Sequence, residues 1–154
     1  MNIFNDKIAI VTGAASGIGQ ALAEELCSRG ARVILTDWKE EQVCTVSDAI
    51  PATCGNAEPV CLDVTDFDAY KKIVDDTVEK HGRLDYLFNN AGIAVGGEAR
   101  DVTIDDWRNV LNVNLNGVVH GVAAAYPVMV KQGFGHIINT ASIEGLVAFP
   151  GNAS

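Results

Sequence analysis

Short apolar runs alternate with longer amphipathic segments along this chain, and that rhythm leaves few folds open. Residues 7–11, 32–36, 59–62, 84–88 and 136–139 are rich in Val, Ile and Leu and show little period-two alternation. A strand with one wet face would carry a polar residue at every second position, so these runs read as strands buried on both faces. Between them, residues 17–29, 39–49 and 66–81 carry apolar positions at helical spacing, such as Tyr70, Ile73, Val74 and Val78, and stop at Gly30, near Pro51 and at Gly82. A further helix opens at Thr103, where Asp106 three positions on resembles a capping box. It runs to about residue 131, and Pro127 is expected to bend its last turn. Strands linked by helices in this way are parallel strands joined by crossovers, which gives an α/β sandwich of helix, sheet and helix in a single domain over residues 1–154.

The junction after the first strand narrows the function. Thr12-Gly13-Ala14-Ala15-Ser16-Gly17-Ile18-Gly19 joins that strand to the first helix, and a helix start leaves unpaired N–H groups at which a phosphate can sit. Gly13 permits a tight turn, Gly17 lets the backbone approach a pyrophosphate, and Gly19 lets helix and strand pack closely. Asp37 ends the second strand eighteen residues beyond Gly19, close to the ~20-residue offset at which a carboxylate accepts hydrogen bonds from a ribose. A carboxylate there repels the additional phosphate of NADP, and the loop carries Ser16 where a cation would be needed, so NAD is the expected cofactor. Lys39 is the one nearby residue that points the other way, and Asp37 also reads as a plain charge at a helix start. A phosphate loop of the NTPase type is excluded, because Gly19 is followed by Gln20 and not by Lys and Ser or Thr.

Composition removes other partners. The formal net charge of -9, with no basic stripe, argues against nucleic acid, whose backbone is bound by clustered Lys and Arg. The first residues lack the build of a secretion leader, and no apolar run approaches the ~20 residues of a membrane span, so no membrane partner and a cytoplasmic location are expected. Cys27, Cys44, Cys54 and Cys61 show neither C-x-x-C spacing nor neighbouring histidines, which points to structural thiols and to no metal.

Six motifs in order make the chain similar to the amino-terminal part of a short-chain dehydrogenase/reductase: residues 12–19, Asp37, Asp63-Val64, 89–92, 112–117 and 139–142. The resemblance implies a Rossmann-type doubly wound sheet, incomplete at its carboxyl-terminal end, and hydride transfer between NAD(H) and an alcohol or ketone. It makes Thr12, Gly13, Ser16, Gly17, Ile18 and Gly19 cofactor contacts, sets Asp63 on the adenine amino group with Val64 lining the ring, and turns Asn90, Ala91 and Gly92 toward the cofactor. By the same match Ser142 orients the substrate oxygen and Asn114 holds a water in a proton relay. Each also has a plainer reading, Ser142 as a turn or cap residue and Asn114 as a partner of a neighbouring carbonyl.

In that family a tyrosine a dozen or so residues after the serine, followed by a lysine four residues later, completes the catalytic set, and this sequence reaches Ser154 without them. The 154-residue chain is therefore expected to be inactive alone, since general acid–base catalysis contributes ~10²- to 10⁴-fold. A non-catalytic NAD-binding module is the alternative. The fifth strand is expected at the edge of the sheet, and residues 143–154 as one apolar wall of a substrate pocket. Residues 118–130, with Gly121, Ala123, Ala124 and Ala125, offer a face on which a homo-oligomer could close.

Overall fold

The computed structural model describes residues 2–51, 54 and 56–147. In chain order these form β1 (Ile8–Thr12), α1 (Gly17–Ser28), β2 (Arg32–Asp37), α2 (Glu40–Ala49), β3 (Ala57–Cys61), α3 (Phe67–His81), β4 (Tyr86–Asn89), α4 (Ile104–Leu111), α5 (Gly117–Gln132) and β5 (His136–Asn139). One parallel sheet holds the strands in the order β3-β2-β1-β4-β5. The chain moves outward from β1 to β3, then crosses back to lay β4 and β5 on the other side. The doubly wound α/β fold read from the sequence is therefore the fold observed, with β5 at the edge among the described residues.

Period two sorts the core onto two faces. Ile8 and Ile10 of β1 join Ile34, Leu87, Tyr70, Val74, Ala124 and Ala125 under α3 and α5. Ala9 and Val11 join Val33, Leu35, Ala23, Leu26 and Val43 under α1 and α2. All five residues of β1 are buried, as a central strand covered on both sides requires. Burial also pushes the Cys27 thiol up to about 11, with a smaller push from Cys54, so it packs as a protonated apolar group. At the amino end of the sheet, burial alone would raise Asp85. The hydrogen bond from Arg83, the Ile8 N–H and the charges of Arg83 and Lys7 outweigh it and hold the carboxyl below its ordinary value.

Four local differences from the sequence reading have physical causes. Strand β4 starts at Tyr86 and not at residue 84, because the Gln132 side chain takes both the N–H and the carbonyl of Leu84, each at 2.9 Å. Strand β3 starts earlier than expected, at Ala57, with its Ala57 to Cys61 paired to Val33 to Asp37. The long helix is two α-helical runs joined by a π-helical turn over Asn112–Asn116, in which the Gly117 N–H reaches back to the Asn112 carbonyl. Three of the four small residues of α5 within 118–130 face inward: Gly121, Ala124 and Ala125 are buried while Ala123 is exposed, and a Cβ on Gly121 would lie 2.1 Å from Asn89 Oδ1. They close the helix onto its own sheet, leaving Val119, Tyr126 and Val130 outward. The whole run Ile104–Gln132 is long and apolar enough to cross a membrane by length and composition, and 28% of its most apolar stretch is buried inside the fold.

Candidate cofactor and active site

At the carboxyl ends of β1 and β4, where the strand order reverses, lies a cleft of about 710 Å³. Open α/β sheets bind ligands at this switch point. The glycine loop forms one wall. Gly13 and Gly17 have φ of +69° and +56°, which side chains resist, and a Cβ on Gly19 would sit 2.1 Å from the Gly13 carbonyl oxygen. Helix α1 starts without a cap: Ser16 is extended and its side chain accepts no bond, and no acidic residue lies in the first turn. The Gln20 N–H bonds back to the Ser16 carbonyl, so the N–H groups of Gly17, Ile18 and Gly19 precede the first helical bond. Gly13, Ser16, Gly17, Ile18 and Gly19 all line the cleft.

Thr12 does not line it. Its side chain is buried and clamps the two switch-point strands instead: Oγ1 donates to the Phe88 carbonyl and accepts from the N–H groups of Asn90 and Ala91, both at 3.0 Å. The expected cofactor contact is thus a positioning residue. Asn90 completes the clamp by donating to the Thr12 carbonyl at 3.1 Å, and Asn90, Ala91 and Gly92 form the cleft floor.

The wall at the ends of β2 and β3 carries two carboxylates. Asp37 is buried, and its oxygens accept from the N–H of Ala15 at 3.1 Å and of Lys39 at 3.0 Å, so it ties the end of β2 to the glycine loop while lining the cleft. One of the two bonds goes to Lys39, the residue that opens α2, so Asp37 serves that helix start as well as the glycine loop. Asp63 Oδ1 accepts from the Thr65 N–H and hydroxyl at 2.9 and 2.8 Å, which sets the carboxylate beside Val64 on the same wall.

The two catalytic candidates stand just outside the cleft lining. Both ends of the Asn114 amide are engaged by Ile93: Oδ1 accepts from its N–H at 2.9 Å and Nδ2 donates to its carbonyl at 2.8 Å. The plainer reading of Asn114 holds for its side chain, which steadies the strand-to-loop exit beyond Gly92. Ser142 is exposed and caps a single turn over Ile143–Gly145 by accepting the Glu144 N–H at 3.1 Å. The strand end that precedes it is held from behind. Tyr70 donates to Asn89 Oδ1 at 2.6 Å, Asn89 donates to Asn139 Oδ1 at 2.9 Å, and Thr140 donates to Asn90 Oδ1 at 3.2 Å. Ile143, Leu146 and Val147 are exposed and line no part of the cleft, while residues 148–154 of the expected substrate wall, Phe149 among them, lie outside the described residues.

The sequence model of the family described as short chain dehydrogenase matches residues 7–154. This chain belongs to the short-chain dehydrogenase family. It is 41% identical over 143 residues to the meso-2,3-butanediol dehydrogenase of Serratia marcescens, covering 93% of this chain and 56% of that protein. A short-chain dehydrogenase/reductase from Burkholderia phymatum, solved in complex with NAD, superposes with a TM-score of 0.92 at 37% identity over 97% of this chain and 53% of that one. An NAD+-bound xylitol dehydrogenase does so with 0.93 at 34% identity, over 98% and 58%. The chain thus spans just over half the length of these relatives.

Within this short-chain dehydrogenase several cleft residues escaped the sequence reading. Trp38, Thr65, Ile93, Asn109, Asn112, Val113 and Thr140 line it as well. Most adjoin a motif residue at a strand end, where a signal existed. Asn112 and Val113 fall within the 112–117 motif, whereas Asn109 had no signal, because the turn that follows it leaves no mark in apolar spacing.

Proposed function

We propose that this chain is the cofactor half of an oxidoreductase that moves a hydride between NAD(H) and a small secondary alcohol or carbonyl compound. The observation that carries the reading is the uncapped start of α1, opening onto the switch-point cleft with the Asp37 carboxylate bonded to the glycine loop beside it. The residues present fit a dinucleotide: the Gly13 to Gly19 cradle has no room for a side chain at Gly19, and about 710 Å³ lies within the range of small-molecule sites. When bound, the nicotinamide gives or takes the hydride. The N–H groups of Gly17, Ile18 and Gly19 receive the pyrophosphate, and Asp37 accepts from the adenosine ribose hydroxyls and repels a phosphate in their place. Asp63 and Val64 receive the adenine, and Asn90 to Gly92 support the nicotinamide end.

On the substrate side, the Ser142 hydroxyl donates to the reacting oxygen. Asn114, whose side chain is held by Ile93, keeps the role of holding a water in the proton relay. Two of the similar proteins are named for butanediol and xylitol, which supports a secondary alcohol as the substrate class.

The 154 residues bind the dinucleotide without turning it over. Their tyrosines are Tyr70, fully buried with its phenol raised by desolvation, Tyr86 in β4 and Tyr126 on the outer side of α5, and none lines the cleft. The same observation favours a second reading, a dinucleotide-binding module with no reaction of its own. Four free cysteines suit a cytoplasmic location, and the outward apolar residues of α5 suit a homo-oligomer. Parallel calorimetric titrations with NADH and NADPH test the cofactor assignment. Saturable binding with preference for NADH is expected, and equal or absent binding would overturn it. Steady alcohol-dependent NAD reduction by a preparation of this exact mass would overturn the inactivity.

A further inference from the structure

We propose that His120, on α5, is a positioning residue for the adenine end of the cofactor: it holds the Val64 carbonyl and with it the Asp63-Val64 wall. The inference rests on the dinucleotide reading of the cleft.

Strand β3 ends at Cys61 and the Leu62 N–H makes the last bond to β2, at the Asp37 carbonyl 2.9 Å away, so the backbone of residues 63–66 runs beyond the sheet ladder and needs partners elsewhere. Asp63 is oriented from within its own turn by Thr65, and its carbonyl accepts the Asp66 N–H at 3.0 Å. The Val64 carbonyl is held from α5, by His120 Nδ1 at 2.9 Å. A carbonyl only accepts, so Nδ1 carries the proton and the bond fixes the imidazole tautomer. Two further contacts set this geometry. The Phe67 ring, at the start of α3, lies against the imidazole with centroids 5.5 Å apart. One turn earlier on α5, a Cβ on Gly117 would lie 2.8 Å from Val64 Cγ2, so the helix backbone already meets the valine side chain. Val64 is thereby gripped by its side chain and its carbonyl, and only the second grip depends on a replaceable side chain. Nothing else about His120 explains a polar ring on a helix otherwise built of Gly, Ala and Val over Gly117 to Ala125.

A merely structural role would act on the whole fold or on the whole ligand. A positioning role acts on one half of the dinucleotide. The test is a set of NMR-monitored titrations of the chain and its His120→Leu and His120→Asn variants with NADH, AMP and reduced nicotinamide mononucleotide. His120→Leu should weaken NADH and AMP by about tenfold, the size of one hydrogen bond, and leave the mononucleotide unchanged. His120→Asn, whose amide nitrogen falls near the Nδ1 position, should restore most of the AMP affinity. Equal loss for both half-molecules, or no loss for AMP, would overturn the inference while leaving the cofactor site intact. A wild-type chain that binds no NADH would overturn the cofactor reading and this inference together. Should the leucine variant fail to fold, His120→Gln replaces it: its amide reaches one bond too far, so Gln should lose AMP affinity where Asn keeps it, and equal affinities would overturn the inference.

Discussion

Helices α1 and α4 begin in opposite ways. At α4 the Thr103 hydroxyl accepts the Asp106 N–H while the Asp106 carboxylate accepts the Thr103 N–H, and Asp105 adds a second acid to the first turn. At α1 the Ser16 side chain takes no part and the first turn has no acid, although serine is among the best capping residues. The difference is one of address. The α4 start is exposed and its orphan donors are satisfied from within, whereas the α1 start opens on the switch-point cleft and its donors are left for a ligand. A helix end that declines a cap it could have made marks a binding site more sharply than the glycine spacing beside it.

The contrast can be broken most forcefully at Gly19. Gly19→Ala drives a Cβ toward the Gly13 carbonyl 2.1 Å away, and we expect about 100-fold or greater loss of NADH affinity with a stability cost of about 1–3 kcal/mol. Unchanged calorimetric binding would show that the loop is not the phosphate cradle. Ser16→Asp tests the address itself by giving α1 the acid it lacks. NADH affinity should fall about tenfold while unfolding stability rises by about 0.5 kcal/mol. Movement of both quantities in the same direction would erase the distinction between the two helix starts.

The smallest effect belongs to α4. Thr103→Ala should cost about 1 kcal/mol in denaturant unfolding and leave NADH binding alone. Hydrogen bonds from the Thr103 hydroxyl and N–H hold Asp106 below its ordinary value of 3.8. The sign follows: its contribution is present above 3.8 and fades as the pH falls through the lowered folded value. Acid unfolding of Asp106→Asn should lack that component, and an unchanged acid limb would detach the carboxylate from the cap.

What the sequence disclosed and what it withheld divide along the same physical line. The sheet was legible because burial on both faces keeps unbroken apolar runs in β1 and β2, with polar residues only at their ends, and the glycine loop because Gly13 and Gly19 answer to steric demands that one residue type meets. The capping box at Thr103 was legible for the same reason, being local chemistry. Thr12 was misread as a ligand contact, since a hydroxyl beside a glycine loop gives no sign that it faces Asn90 and Ala91 across the sheet, contacts 78 and 79 residues away in sequence. Gly121, Ala124 and Ala125 of α5 were assigned to an outer face because spacing alone does not say which side of a helix meets the sheet.

The π-turn over Asn112–Asn116 has one more consequence, a matter of phase. Widening the backbone ring by one residue offsets α5 from α4 by one residue's rotation, so the two runs answer to different angular references. Deleting one residue there would let a continuous α-helical ladder form, improving the local hydrogen bonding. It would also turn Gly121 away from Asn89 and Tyr70 and bring a bulkier neighbour against the sheet. The helix keeps a local irregularity because its regular form would be out of phase with the core.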